Sequence, residues 1–175
     1  DDNTLKVWSL ADGAELFTLT GHSDWVNAVA ISPDGKLAIS GSKDLTLKVW
    51  NLETKEKFCT LTGHSDWVNA VAISPDRKLA ISGSGDRTLK VWNLKTKAEL
   101  FTLNGHSDWV NAVAIAPDGQ RAISGSRDHT LKVWNLATGK ELFTLNGHSR
   151  SIYAVAISLD GKLAISGSRD HTLKV

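Results

Sequence analysis

The chain has 175 residues, with 20 Lys and Arg against 19 Asp and Glu, a formal net charge of +1, and one cysteine, Cys59. Interspersed, nearly balanced charge gives no basic footprint for nucleic acid, no apolar run is long enough for a membrane helix, and a single cysteine rules out an intrachain disulfide framework. The expected setting is reducing and cytoplasmic, and from the absence of methionine the chain is expected to be processed, excised or only partly covered.

In chain order, residues 1–20 read as two strands, 4–19, with the phrase Asp2-Asn3-Thr4-Leu5-Lys6-Val7-Trp8 in the first of them. The same phrase returns within 40–50, 82–92 and 124–134, and again as 166–175, at a spacing of 42 residues. A fixed period of that length is the mark of one supersecondary unit that buries its faces only against its neighbours. The complete units are 21–62, 63–104 and 105–146, and 147–175 is a fourth that carries three strands.

Within 21–62, Gly21-His22-Ser23-Asp24 is a polar turn, and 25–31 is a strand apolar on nearly both sides. Pro33-Asp34-Gly35 is a turn, since proline presets φ and glycine accepts positive φ. A second strand spans 36–40, a third with period-2 alternation 46–52, and a fourth 57–61. No window of the chain carries helical periodicity, so the fold class is all-β, seventeen strands in antiparallel meanders. The first strand of each unit is built on small residues (Ala28 and Ala30, Ala70 and Ala72, Ala112 and Ala114), whereas later strands use Leu, Ile, Phe and Trp. That taper suits blades converging on an axis better than a linear stack. Cys59 aligns with Phe17, Phe101 and Phe143 and reads as a small core filler.

The Gly-His pairs opening each unit (Gly21-His22, Gly63-His64, Gly105-His106, Gly147-His148), the 42-residue period and the Trp closing the third strand resemble the WD40 repeat β-propeller. The Trp-Asp dipeptide of that family stands here as Trp8-Ser9, Trp50-Asn51, Trp92-Asn93 and Trp134-Asn135. The resemblance implies a hydrogen-bonded tetrad inside each blade: His22, Ser40, Asp44 and Trp50; His64, Ser82, Asp86 and Trp92; His106, Ser124, Asp128 and Trp134; and the incomplete His148, Ser166 and Asp170. If the ring closed on itself, Asp2 and Trp8 would complete the last set in competition with residues 170–175. Propellers of this family have more blades than four, so the chain is expected to be a segment of a larger propeller or part of a ring completed by oligomerisation.

Ser, His and Asp together suggest a hydrolase triad, but this set recurs in every unit and lacks a strained nucleophile turn. Histidines on separate blades make no metal site, and neither a catalytic constellation nor a cofactor motif is present. Function is expected on one face. Trp25, Trp67 and Trp109 precede the first strands, and in the resembled family this position faces the mouth of the central channel. The fourth unit has Ser151-Ile152-Tyr153 instead, with Tyr153 near that mouth. The tryptophans are either an aromatic platform for a partner or lids over blade ends. Beside them the turn residues vary, with Lys43, Arg87, Arg127 and His129 as candidate contacts. The favoured function is a non-catalytic interaction scaffold or sensor module for a protein or peptide. The runner-up is a lectin-like or small-ligand binder that stacks sugars on the indoles.

Overall fold

A computed structural model describes residues 2–175, so Asp1 of the expected 1–20 half-unit lies outside it. The elements are β1 (Thr4–Trp8) and β2 (Glu15–Thr20); β3 (Val26–Ile31), β4 (Leu37–Ser42), β5 (Thr46–Asn51) and β6 (Glu56–Thr62); β7 (Val68–Ile73), β8 (Leu79–Ser84), β9 (Leu89–Asn93) and β10 (Ala98–Leu103). They continue as β11 (Val110–Ile115), β12 (Arg121–Ser126), β13 (Leu131–Asn135) and β14 (Lys140–Leu145), and end with β15 (Ile152–Ile157), β16 (Ala164–Ser168) and β17 (Leu173–Lys174). They form five separate antiparallel sheets, of two, four, four, four and three strands, each a meander in sequence order. Among the described residues there is no helix long and apolar enough to cross a membrane.

The cores lie between sheets. Ile39, Leu47, Val49 and Leu61 of the first complete blade pack on Val68, Val71, Ala80, Trp92 and Leu94 of the second. Ile81, Leu89, Val91 and Leu103 repeat this against Val110, Ala122, Trp134 and Leu136. Each fully buried side chain of this kind stabilises by about 1.5–3 kcal/mol, so every blade depends on its neighbour. The first strands lie next to one another from blade to blade, which is where the small Ala residues are needed. Cys59 is half-buried against the first of these cores. At the amino-terminal end, Leu5 and Leu19 of β1–β2 cover Ala38 and Trp50.

Two local features depart from simple alternation. The second strand runs on through Gly41 and Ser42, beyond the expected 36–40, because the chain can approach the next blade there. A Cβ on Gly41 would lie 2.5 Å from Val68 Cγ1. The fourth strand carries a bulge: Val49 pairs with Cys59 but Trp50 with Lys57, which turns Phe58 outward. The same irregularity recurs between Val133 and Trp134 and between Glu99 and Phe101. It sets residues 57, 99 and 141 opposite the buried tryptophans.

At the far end, β17 pairs with β16 as the third strand of its own blade. Trp8 is 52% exposed, and Ser166 bonds to His148 and not to Trp8. The self-closed arrangement in which Asp2 and Trp8 complete the last set is therefore not adopted. Asp170, in the chain's own turn, bonds to His148 instead.

Candidate functional site: buried polar chains and the aromatic mouth

In the first complete blade, Trp50 Nε1–H donates to Ser40 Oγ at 2.9 Å, Ser40 lies 2.7 Å from His22 Nε2, and His22 Nδ1 lies 2.7 Å from Asp44 Oδ2. A carboxylate can only accept, so Nδ1 carries the proton and the neutral Nε2 accepts from the Ser40 hydroxyl. The donors thus run one way, Trp to Ser to His to Asp, and every group is satisfied. The second blade repeats the geometry with Trp92, Ser82, His64 and Asp86, and the third with Trp134, Ser124, His106 and Asp128. The glycine before each histidine follows from this packing: a Cβ on Gly21 would press on the Trp50 ring at 3.3 Å, and its φ is +154°.

The aspartate does more than receive the histidine. Asp44 also accepts from Thr46 N–H and Oγ1–H and from Ser23 N–H, at 3.0, 2.6 and 3.1 Å. Thr88 and Thr130 make the same contacts in their blades. Burial by itself would raise the Asp44 carboxyl, but the bonds from Thr46, His22 and Ser23 outweigh it and bring its pKa down to about 2. Asp86 and Asp128 are lowered further by the same balance. Burial pushes His22 below its ordinary 6.5; Asp44 opposes this, while Lys48 and Lys57 add to it. The turn residue after each aspartate takes the left-handed conformation (Leu45 at φ 68°, Arg87 at 71°, His129 at 72°).

A second buried polar row was not foreseen. Lys48, Lys90 and Lys132 sit mid-strand and are buried. Lys90 Nζ reaches Glu99 and Thr102, each at 2.8 Å, and Lys132 reaches Glu141 and Thr144 likewise. Lys48 bonds only Thr60, at 3.2 Å, because Lys57 stands where the other blades have glutamate. The sequence signal was a lysine at every copy of an otherwise apolar strand, with Glu missing from one partner. Blades are also tied together by asparagine: Asn27, Asn69 and Asn111 Nδ2 donate to the carbonyls of Val68, Val110 and Ile152.

Trp67 and Trp109 line a common recess, Trp25 is joined to Trp67 through Lys43, and cations come from the neighbouring turns. The turns are held to them by backbone bonds, Lys43 N–H to Trp25 O at 2.9 Å and Arg127 N–H to Trp109 O at 2.8 Å. Lys43 Nζ lies between two indoles, 3.5 Å from the Trp25 ring centre and 4.1 Å from that of Trp67. Arg127 Cζ lies 4.1 Å over Trp109. In the second blade Gly85 replaces the cation, Asp66 folds against it, and Trp67 and Trp109 meet edge to face at 5.5 Å. Trp25 is 46% and Trp67 36% exposed. A recess of about 260 Å³ is lined by Lys43, Trp67, Asn69, Trp109, Arg127 and Tyr153, with Trp25 outside its lining. Arg87 and His129 are not part of this lining; they sit one position beyond the aspartates, at the left-handed residues of the turns. No group of three or more His, Cys, Asp or Glu is placed to hold a metal among the described residues.

Comparison with known proteins agrees with this architecture. The family described as WD40, "WD domain, G-beta repeat", matches residues 13–51, 55–93, 97–135 and 139–175. A 43-residue stretch is 51% identical to the small ribosomal subunit protein RACK1y of Oryza sativa subsp. japonica, covering 25% of this chain and 13% of that protein. The chain is also 46% identical over 43 residues to Lissencephaly-1 homolog 1 of Paramecium tetraurelia, covering 25% and 11%. It is 51% identical over 35 residues to ribosome assembly protein 4 of Chaetomium thermophilum, covering 20% and 7%. The matches thus span a small fraction of each relative's length. With the family's repeat matched four times along its length, the chain belongs to the WD40 repeat family.

Proposed function

We propose that the chain is a non-catalytic interaction module whose blades hold a partner-docking face at the channel mouth, with the tetrads as internal struts. One observation carries this reading: a partly exposed set of indoles and cations borders a recess, whereas Trp50, Trp92 and Trp134 are inside the cores. Binding hot spots favour such rigid aromatic and cationic groups. The tetrad serines are fully buried and each accepts an indole N–H, which leaves no room for a substrate carbonyl. A protein or peptide partner suits the interspersed charge better than nucleic acid does, although two of the relatives carry ribosomal names. Sugar stacking is less well served, since Lys43 and Arg127 already cover indole faces. A reducing, cytoplasmic setting accords with the free Cys59 thiol.

The test is a peptide array and a glycan array, each probed with the full chain and with Trp67→Ala of unchanged thermal midpoint. Saturable peptide binding lost in the variant supports the reading. Saturable sugar binding lost in the variant, with no peptide bound, overturns it.

A further inference from the structure

We infer that the segment received at this mouth is an acidic peptide, its carboxylates paired with Lys43 and Arg127 and its apolar side chains on the Trp67–Trp109 edge. This rests on the docking reading above. Lys43 and Arg127 are the two cations that line the recess, and each rests on an indole face. Lys6, Lys36, Arg77, Lys90, Arg121 and Lys132 each have a carboxylate within ion-pair distance. Lys43, Arg127 and Arg169 are not among the paired cations, as exposed Arg87, Lys95 and Lys140 are not; Lys43 and Arg127 rest on ring faces beside the recess.

An indole face restrains a cation without using up its N–H donors. Lys43 and Arg127 are therefore partly desolvated and fixed in place while their hydrogen-bonding capacity remains free. Preorganisation of this kind strengthens binding because fewer rotamers are lost. The local anions offer little competition. Asp44, Asp86 and Asp128 each receive a histidine, a threonine and backbone donors, and Asp24, Asp66 and Asp108 each accept the N–H of the tryptophan that follows. The fourth blade tips the balance further, with Arg150 in place of that aspartate and Arg169 in place of Lys43. Positive charge at these positions is thus greatest in the fourth blade and least in the second, where Gly85 stands in the cation's place, while Asn69, Asn111 and Tyr153 supply neutral polar groups to the recess. Carboxylates on a flexible chain fit two cations set on separate blades, and leucine or aromatic side chains fit the ring edges between them.

The probes are a fluorescent peptide of alternating Glu and Leu, its Gln-Leu counterpart, and a single-stranded oligonucleotide of similar charge. They are titrated against the full chain and against Lys43→Gln, Arg127→Gln and Trp67→Ala. Neither cation makes a side-chain hydrogen bond or ion pair in the fold, so the first two variants leave the buried network intact. Lys95→Gln serves as a control, because its turn joins strands three and four of a blade and lies on the opposite rim. The Glu peptide is expected to bind saturably, about tenfold tighter than the Gln peptide, and to weaken by about tenfold in either cation variant. Its affinity should also fall with salt and be unaffected by Lys95→Gln. Equal binding of the two peptides, full binding by Lys43→Gln and Arg127→Gln, equal loss in Lys95→Gln, or equal binding of the oligonucleotide each overturns the inference. If both peptides bind equally and Trp67→Ala abolishes both, the docking face stands and only its acidic preference falls. If neither peptide binds, both fall together.

Discussion

Replacing Lys57 with glutamate should stabilise this protein, against the general rule that changes to a folded chain are neutral or harmful. Lys48 is 7% exposed, and its ammonium has only the Thr60 hydroxyl, at 3.2 Å. Lys90 and Lys132, in the same setting, each sit 2.8 Å from a glutamate that is about one-third exposed. Lys57→Glu would place that carboxylate opposite Trp50, in the register of Glu99 and Glu141. Two unit charges in contact attract by about 4 kcal/mol at an effective dielectric of about 20. Partial desolvation of the new carboxylate, solvent screening and the ordering of its side chain take back more than half. The desolvation of Lys48 is already present in the native fold, so it subtracts nothing. A net gain of about 1–2 kcal/mol follows, or roughly 4 °C in Tm for a chain of this size. The assay is the Tm and the urea midpoint of the parent, Lys57→Glu and Lys57→Gln, at low and high salt. The neutral variant isolates the relief of like charge and should recover less than half of the gain. The reasoning is refuted if Lys57→Glu leaves the midpoint unchanged, or if Lys57→Gln matches it.

Three further outcomes are expected. Ser82→Ala strands the Trp92 N–H and His64 Nε2 inside the blade and should cost about 2–4 kcal/mol, whereas Ser166→Ala, where the hydroxyl meets only His148, should cost about half as much; paired denaturation curves compare them. Gly83→Ala sets a Cβ 2.6 Å from Val110 Cγ1 and should destabilise by about 1–3 kcal/mol, with non-additive recovery when Val110→Ala is combined with it, read from a double-mutant cycle. Stability should also fall in two stages on acidification, followed by the urea midpoint against pH. His22 has its folded pKa below 6.5, so below that pH the unfolded chain takes up the proton first and stability begins to drop. Asp44, at about 2 against an ordinary 3.8, contributes in full above about pH 4, and that contribution is lost as pH falls through 2. Substituting Asn for Asp44 should flatten the lower stage.

Much of the molecule was legible from the chain alone. The 42-residue period, the alternation of Thr46-Leu47-Lys48-Val49-Trp50 and the turn at Pro33-Asp34-Gly35 fix local elements, because period-2 burial and turn stereochemistry act over a few residues. The taper of Ala28 and Ala30 against larger later strands pointed to a radial arrangement for the same reason. What the sequence could not decide depends on atoms brought together from separate strands and blades. The bulge opposite Val49 and Trp50 sets residue 57 against a buried lysine, and only that register reveals Lys48 as a cation without its carboxylate. The asparagine ties between blades are ordinary polar residues in the string; their partners come from the next sheet. At the mouth, the candidates Lys43 and Arg127 precede the turn aspartate and Arg87 and His129 follow it, but the sequence does not say which pair faces the tryptophans. The turn geometry separates them, laying residues 43 and 127 across indoles while the left-handed positions 87 and 129 stay outside the recess, because the direction of a side chain is set by backbone dihedrals and neighbouring blades.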